Sequence, residues 1–141
     1  MPILDTSPIS ILERRNAETA RLSAYLETFP DDSIYITVIS YEEQIRGWMS
    51  ALSSARNPSA QALPYTKLLE QLENYCNLQI LPFDDAAANR FQALRREHRR
   101  ISSPDLKIAA IALVHNEILI TQNTHDFENI VGLKLKDWTR E

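Results

Sequence analysis

The stretch Ser102-Ser103-Pro104-Asp105-Leu106-Lys107-Ile108-Ala109-Ala110-Ile111-Ala112-Leu113-Val114-His115-Asn116-Glu117-Ile118-Leu119-Ile120-Thr121 sets two apolar patterns end to end. Its first part reads as a helix, with a serine cap, a proline near the first helical position and an acid in the first turn. That helix is apolar nearly all round, so it is buried centrally. Residues 117–121 then read as a strand, short and dominated by Ile118, Leu119 and Ile120. A buried helix feeding a buried strand is the repeating step of an α/β fold.

The alternation continues on both sides. Ile3-Leu4 reads as a first buried strand, and Pro8 suits the first turn of a helix through Ile9, Leu12 and Glu13. A second helix is expected over about residues 18–29, with Ala20, Leu22, Ala24, Tyr25 and Leu26 on its apolar side, followed by the turn Pro30-Asp31-Asp32-Ser33. Residues 34–39 are β-branched and aromatic, a strand pattern. Ser40-Tyr41-Glu42-Glu43 fits the S-x-x-E capping box and predicts a helix starting at Ser40. Within it Ile45, Trp48, Met49 and Leu52 recur as one buried face. Arg56-Asn57-Pro58-Ser59 interrupts that helix, and another over about residues 59–76 carries Leu68, Leu72 and Tyr75 on one stripe. The two long helices form a hairpin that packs on the body or on a second copy of the chain. A short strand at residues 78–81 ends at Pro82, and Asp84 caps a helix through Ala87, Phe91 and Leu94. Leu133-Lys134-Leu135 reads as a last strand on an edge. The alternation implies a parallel sheet with helices on both faces.

A chain of 141 residues is most simply one domain, and an apolar fraction of 44% with 24% charged residues excludes a disordered chain. Two glycines leave no phosphate loop of the GxGxxG or GxxxxGK[ST] kind. The lone Cys76 excludes an internal disulfide and a thiolate zinc cluster, and beside Leu72 and Leu78 it reads as a small buried hydrophobe. The start Met-Pro-Ile-Leu-Asp has neither a basic n-region nor an apolar h-region, and residues 108–114 are too few to span a bilayer. A soluble, cytoplasmic protein is expected. The net charge of −4 argues weakly against a broad nucleic-acid surface, although clustered acids offset by a cation would contribute to it. The run Arg95-Arg96-Glu97-His98-Arg99-Arg100 suits a solvated helix end and phosphate contact equally well.

Four acids fall where apolar runs end or helices begin. Asp5 closes the first strand, Glu43 follows residues 34–39, Asp105 opens the buried helix, and Asp126 follows residues 117–121 by a short turn. Taken singly, Glu43, Asp105 and Asp126 are explained as helix-start acids. Asp5 has no such role. A parallel α/β layout brings all four to one side of the sheet, where ligands bind. Carboxylates gathered there repel one another unless protons or a cation intervene, and their hard oxygens suit Mg²⁺ or Mn²⁺. Thr6, Ser7, Thr121 and Asn123 supply short polar groups at the same points, suited to orienting the acids.

The segments Leu4-Asp5-Thr6-Ser7, Glu43-Gln44-Ile45-Arg46-Gly47, Asp105-Leu106-x-Ile108-Ala109-Ala110-x-Ala112-Leu113 and Thr121-x-Asn123-x-x-Asp126-Phe127 together resemble the PIN-domain ribonucleases. The ending Gly132-Leu133-Lys134-Leu135-x-Asp137-Trp138 is similar to that of the VapC toxins of bacterial toxin–antitoxin pairs. The resemblance implies a three-layer α/β/α sandwich around a mainly parallel sheet, and a Mg²⁺- or Mn²⁺-dependent endoribonuclease. It implies an acidic quartet of Asp5, Glu43, Asp105 and Asp126, with Asp5 and Asp105 the principal metal ligands. Glu42 rivals Glu43, which the spacing to Gly47 favours. Ser7 stands where many relatives carry asparagine. The resemblance also implies an RNA substrate, a small antitoxin that could place a basic residue in the acidic pocket, and a homodimer. The faces carrying Trp48, Met49, Leu52, Leu68 and Leu72 are either a docking groove for such a partner or ordinary core.

Two other readings compete. Asp5-Thr6 superficially suits an aspartyl phosphotransfer protein, but the D-x-D-x-T pattern fails at Ser7 and no lysine follows a late strand in a convincing position. A PIN-like module that binds RNA or protein without cutting is the second; retention of four acids argues against it. His98, His115 and His125 are scattered, and His125 reads as a surface-turn residue.

Overall fold

The computed structural model describes every residue except 7, 10, 11, 13–16, 31, 32, 140 and 141, and at Glu18 the backbone alone. Ser7, Glu13, Asp31 and Asp32 therefore lie outside the described residues. The chain runs through β1 (Ile3–Leu4), α1 (Ala17–Leu26), β2 (Tyr35–Thr37), α2 (Val38–Ser54), α3 (Pro58–Cys76), β3 (Gln79–Leu81), α4 (Asp85–Glu97), α5 (Ser103–His115), β4 (Ile118–Ile120), α6 (Thr124–Phe127) and β5 (Lys134–Lys136). The five strands form one sheet in the order β3-β2-β1-β4-β5, parallel at every pairing.

Alternating side chains on these short strands feed two cores. Ile3, Leu81 and Leu119 face a cluster that includes Ile39, Ala87, Leu94 and most of α5, whereas Leu4, Ile36 and Ile120 face Leu22, Leu26, Tyr75 and Trp138. The result is the three-layer sandwich expected. Helix α5 is apolar nearly all round because it is enclosed: Leu106, Ile108, Ala109, Ala110, Ile111 and Ala112 are all fully buried, against the sheet, α2 and α4. It closes at Asn116, whose left-handed backbone (φ 53) turns the chain into β4.

From β1 the chain steps outward to β2 and β3, then returns to β4 on the other side of β1. The carboxyl ends of β1 and β4 thus flank the point where strand order reverses, the place where an open α/β sheet leaves a crevice.

Several boundaries differ from expectation. Strand β2 stops at Thr37, and Val38 and Ile39 already belong to α2 despite their preference for strands. The cap is Thr37, whose Oγ1 accepts the Ser40 N–H at 3.2 Å, so Ser40 is not the cap and Glu43 lies more than one turn inside the helix. The β-branched run concealed this boundary, because a threonine that ends a strand and one that caps a helix look alike in sequence. Helix α3 likewise begins at Pro58, capped by Asn57 Oδ1, which accepts the Ala60 N–H at 2.8 Å. The stripes on the α2–α3 hairpin are buried only in part: Tyr75 lies in the core, but Met49 and Leu72 are each 52% exposed, and Ile45, Trp48, Leu52 and Leu68 are only half-buried. Cys76 is exposed rather than buried, at the end of α3 beside two exposed leucines, Leu72 and Leu78.

Candidate active site

Asp5 still belongs to the sheet through its backbone, its N–H donating to Ile120 O at 3.0 Å, while its side chain stands over the β1–β4 crevice. Its carboxylate is held at both oxygens. Oδ1 accepts the Thr6 N–H at 2.8 Å, and Oδ2 accepts the Thr121 hydroxyl at 2.9 Å. Thr121 is fully buried and its Oγ1 also accepts the Asn123 N–H at 2.9 Å, which fixes the direction of its single proton toward Asp5.

Thr6 connects this acid to the next one. Its hydroxyl donates to Glu43 Oε1 at 2.8 Å and lies 2.9 Å from Ser40 Oγ. With the Thr6 proton on the carboxylate, Ser40 donates to Thr6, giving a relay Ser40–Thr6–Glu43. Ser40, which the sequence offers only as a helix cap, is fully buried. The signal was present: a small polar residue one helical turn before an acid shares its face. The same geometry separates Glu43 from Glu42, which pairs instead with Arg46 on the exposed side of α2.

Asp105 sits at the third position of α5, where its N–H donates to Ser102 Oγ at 3.3 Å. Ser102→Ala is expected to cost about 1 kcal/mol in urea denaturation, the usual worth of an N-cap; unchanged stability would show that the cap is idle. Asp126 lies on α6, exposed, with Oδ2 accepting the Asn123 side-chain N–H at 2.8 Å. All four acids, and Thr6, Thr121 and Asn123 with them, therefore collect at the carboxyl ends of β1, β2 and β4.

The electrostatics tie the cluster together. Burial pushes the Asp5 carboxyl up to about 6, opposed by its bonds from Thr6 and Thr121 and reinforced by the charges of Asp105 and Glu43. Burial also raises Glu43, with Thr6 opposing and Asp105 adding to the rise. Asp105 is raised by burial and by Asp126, against a hydrogen bond with Ser102. Asp105 thus interacts with each of the other three. Among the described residues none of the four acids has an ion-pair partner. Nor, among them, do three acids, histidines or cysteines close around a single point, so the acids are gathered but stand more openly than a closed metal shell.

The basic run divides. Arg95 is half-buried and bonded to its own loop, while Arg96, Arg99 and Arg100 are exposed. His125 is a surface residue beside Glu128, 3.4 Å away, and takes no part in the cluster. A groove of about 1090 Å³ beside α2 and α3, lined in part by Trp48, Lys67, Gln71, Asn74 and Leu78, touches none of the acids.

Residues 3–133 match the PIN domain family model. The chain belongs to the PIN-domain family. This PIN domain is similar to ribonuclease VapC1 of Haemophilus influenzae (strain R2866), with 32% identity over 142 residues covering 98% of each chain. In fold it is similar to the DNA-bound VapBC structure from Salmonella typhimurium, at a TM-score of 0.76 and 23% identity over 97% of each chain. VapBC-1 from nontypeable H. influenzae gives a TM-score of 0.74 at 24% identity, covering 99% of this chain and 98% of that one. The four motif segments that suggested a PIN domain lie within the matched residues, and the ending Gly132–Trp138 begins inside them and runs past residue 133.

Proposed function

We propose that this chain is a single PIN nuclease domain, a Mg²⁺- or Mn²⁺-dependent endoribonuclease that acts as the toxin of a toxin–antitoxin pair in the cytoplasm. The observation that carries the reading is the buried Asp5 carboxylate, oriented at both oxygens and crowded by Glu43 and Asp105 with no ion-pair partner among the described residues. A site in which burial and like charges raise several acids together is suited to a cation. The similarity to ribonuclease VapC1 supports the same reaction class.

The donor set fits a hard divalent ion. Asp5 and Asp105 would be its principal ligands, with Glu43 and Asp126 at the margins. An open arrangement agrees with the habit of Mg²⁺, which takes one or two carboxylates and completes its shell with water and substrate oxygens. When bound, such an ion lowers the pKa of a water and stabilises charge on the phosphate. The chain's own residues supply orientation: Thr6 and Thr121 fix the plane of the Asp5 carboxylate, the Ser40–Thr6 relay aims Glu43, and the Asn123 amide steadies Asp126. Arg96, Arg99 and Arg100 are exposed and suited to RNA phosphates; Arg95 is engaged elsewhere.

The partners follow from the same reading. The exposed apolar residues of the α2–α3 hairpin, with the groove beside them, suit an amphipathic antitoxin segment, and a second copy of the chain would join two acidic clefts into one groove. No helix among the described residues is long and apolar enough to cross a membrane. The test is expression of the wild type and of Asp105→Asn, with mapping of cellular RNA ends. Growth arrest with discrete new ends in the wild type alone is expected. Equal cleavage by the variant would place the active centre elsewhere.

A further inference from the structure

Arg95, in the last turn of α4, is folded back onto the loop that delivers Asp105. Its Nη1 donates to Ile101 O at 2.8 Å and to His98 O at 3.2 Å, and its Nη2 donates to Ser103 Oγ at 2.9 Å. The guanidinium also lies over the Phe91 ring, 5.5 Å from its centroid, which holds the group in place from α4 itself. Three consecutive features of the connection therefore converge on one planar cation: the carbonyl after α4, the carbonyl before the Ser102 cap and the first side chain of α5. Only Pro104 separates Ser103 from Asp105, and the cap that starts the helix is Ser102.

We propose that Arg95 is a positioning residue for Asp105, setting where α5 begins and hence where its carboxylate stands in the acidic cluster. The inference rests on the nuclease reading for its effect on catalysis, but not for its structural part. The reason the group must be arginine is geometric. A guanidinium presents several donors in a fixed fork and can bridge acceptors on both sides of a turn, whereas a lysine ammonium is a point charge on a mobile stem. Arg95 acts through the backbone: it makes no ion pair with Asp105. A displacement of about 1 Å in a catalytic group is enough to cost about 100-fold in rate.

The experiment compares Arg95→Ala and Arg95→Lys with the wild type in the full chain. In both variants kcat on a substrate RNA is expected to fall about 10- to 100-fold, with KM staying within about threefold because no phosphate contact is lost. Amide hydrogen exchange over residues 98–106 is expected to quicken about tenfold, with residues 118–120 unchanged. Methylguanidinium at millimolar concentration should restore part of the Arg95→Ala kcat without changing KM, whereas rescue that appears as a lower KM would mark an RNA contact. A rise in KM at constant kcat would make Arg95 an RNA contact and overturn the proposal, as would wild-type exchange over residues 98–106 in both variants. If the wild type itself cuts no RNA, the nuclease reading fails separately, and the exchange measurement still decides whether Arg95 holds the start of α5.

Discussion

Asp5→Asn is expected to yield a protein that is more stable than the wild type at neutral pH without divalent ions, and that cuts no RNA. Asp5 is 4% exposed, and burial dominates the rise of its carboxyl from 3.8 to about 6. Keeping the group ionised in the fold at pH 7.5 therefore costs about 3 kcal/mol relative to the unfolded chain. Asparagine removes that charge and can keep the local bonds. Its Oδ1 can accept the Thr6 N–H, and its amide can donate to Thr121 Oγ1 at the cost of turning the buried Thr121 proton away from residue 5. A gain of about 1–3 kcal/mol in urea denaturation is expected after allowing for imperfect fit. Cleavage is expected to fall by about 10³-fold or more, as for loss of a principal electrostatic group. Lower stability together with retained cleavage would show that Asp5 is structural.

The second large effect is on pH dependence. For Asp5 the folded-state pKa lies above the unfolded value, so between about pH 4 and 6 the folded chain binds more protons than the unfolded one. Its contribution to stability is greatest below pH 4, declines through that window and levels off above it. Glu43 and Asp105 are shifted in the same direction and deepen the decline. The measurement is the difference in unfolding free energy between wild type and Asp5→Asn across pH 4 to 8, which cancels the exposed acids common to both. The variant's advantage should grow from near zero at pH 4 to its full value above pH 6. An advantage that is constant with pH, or that shrinks as pH rises, would contradict a buried, crowded carboxylate. A divalent ion at 100 times its dissociation constant should return about 2.7 kcal/mol to the wild type at pH 7.5.

The parts of this molecule that were legible in sequence are those where one pattern had one physical solution. An all-apolar helix such as α5 has to be enclosed, and an acid that directly ends a buried strand, as at Asp5, has to stand at the carboxyl end of the sheet. The parallel sheet and the collection of four acids at one side of it followed, whereas the order of the strands came only from the structure. What was misread involved groups whose partners lie far along the chain. Ser40 resembles a cap because Glu43 lies three residues on, whereas its hydroxyl meets Thr6, 34 positions away and just past β1. The α2–α3 hairpin carries a helical stripe indistinguishable from a core face, yet Met49 and Leu72 are half-exposed in the folded chain. Cys76 has the apolar sequence neighbours of a buried thiol, but Leu72 and Leu78 are themselves exposed, and so is the thiol. The run of arginines gave no hint that Arg95 would turn inward to its own loop while Arg96, Arg99 and Arg100 stayed outside. Periodicity reports which side of an element is apolar; it does not report whether another element covers it.

The most direct measurement is calorimetric titration of Mn²⁺ into the metal-free wild type, Asp5→Asn and Asp105→Asn at pH 7.5. Saturable binding to the wild type, lost or weakened at least tenfold in both variants, is the predicted result. A wild type that takes up no Mn²⁺, or variants that bind it as tightly as the wild type, would contradict a cation site built by these carboxylates.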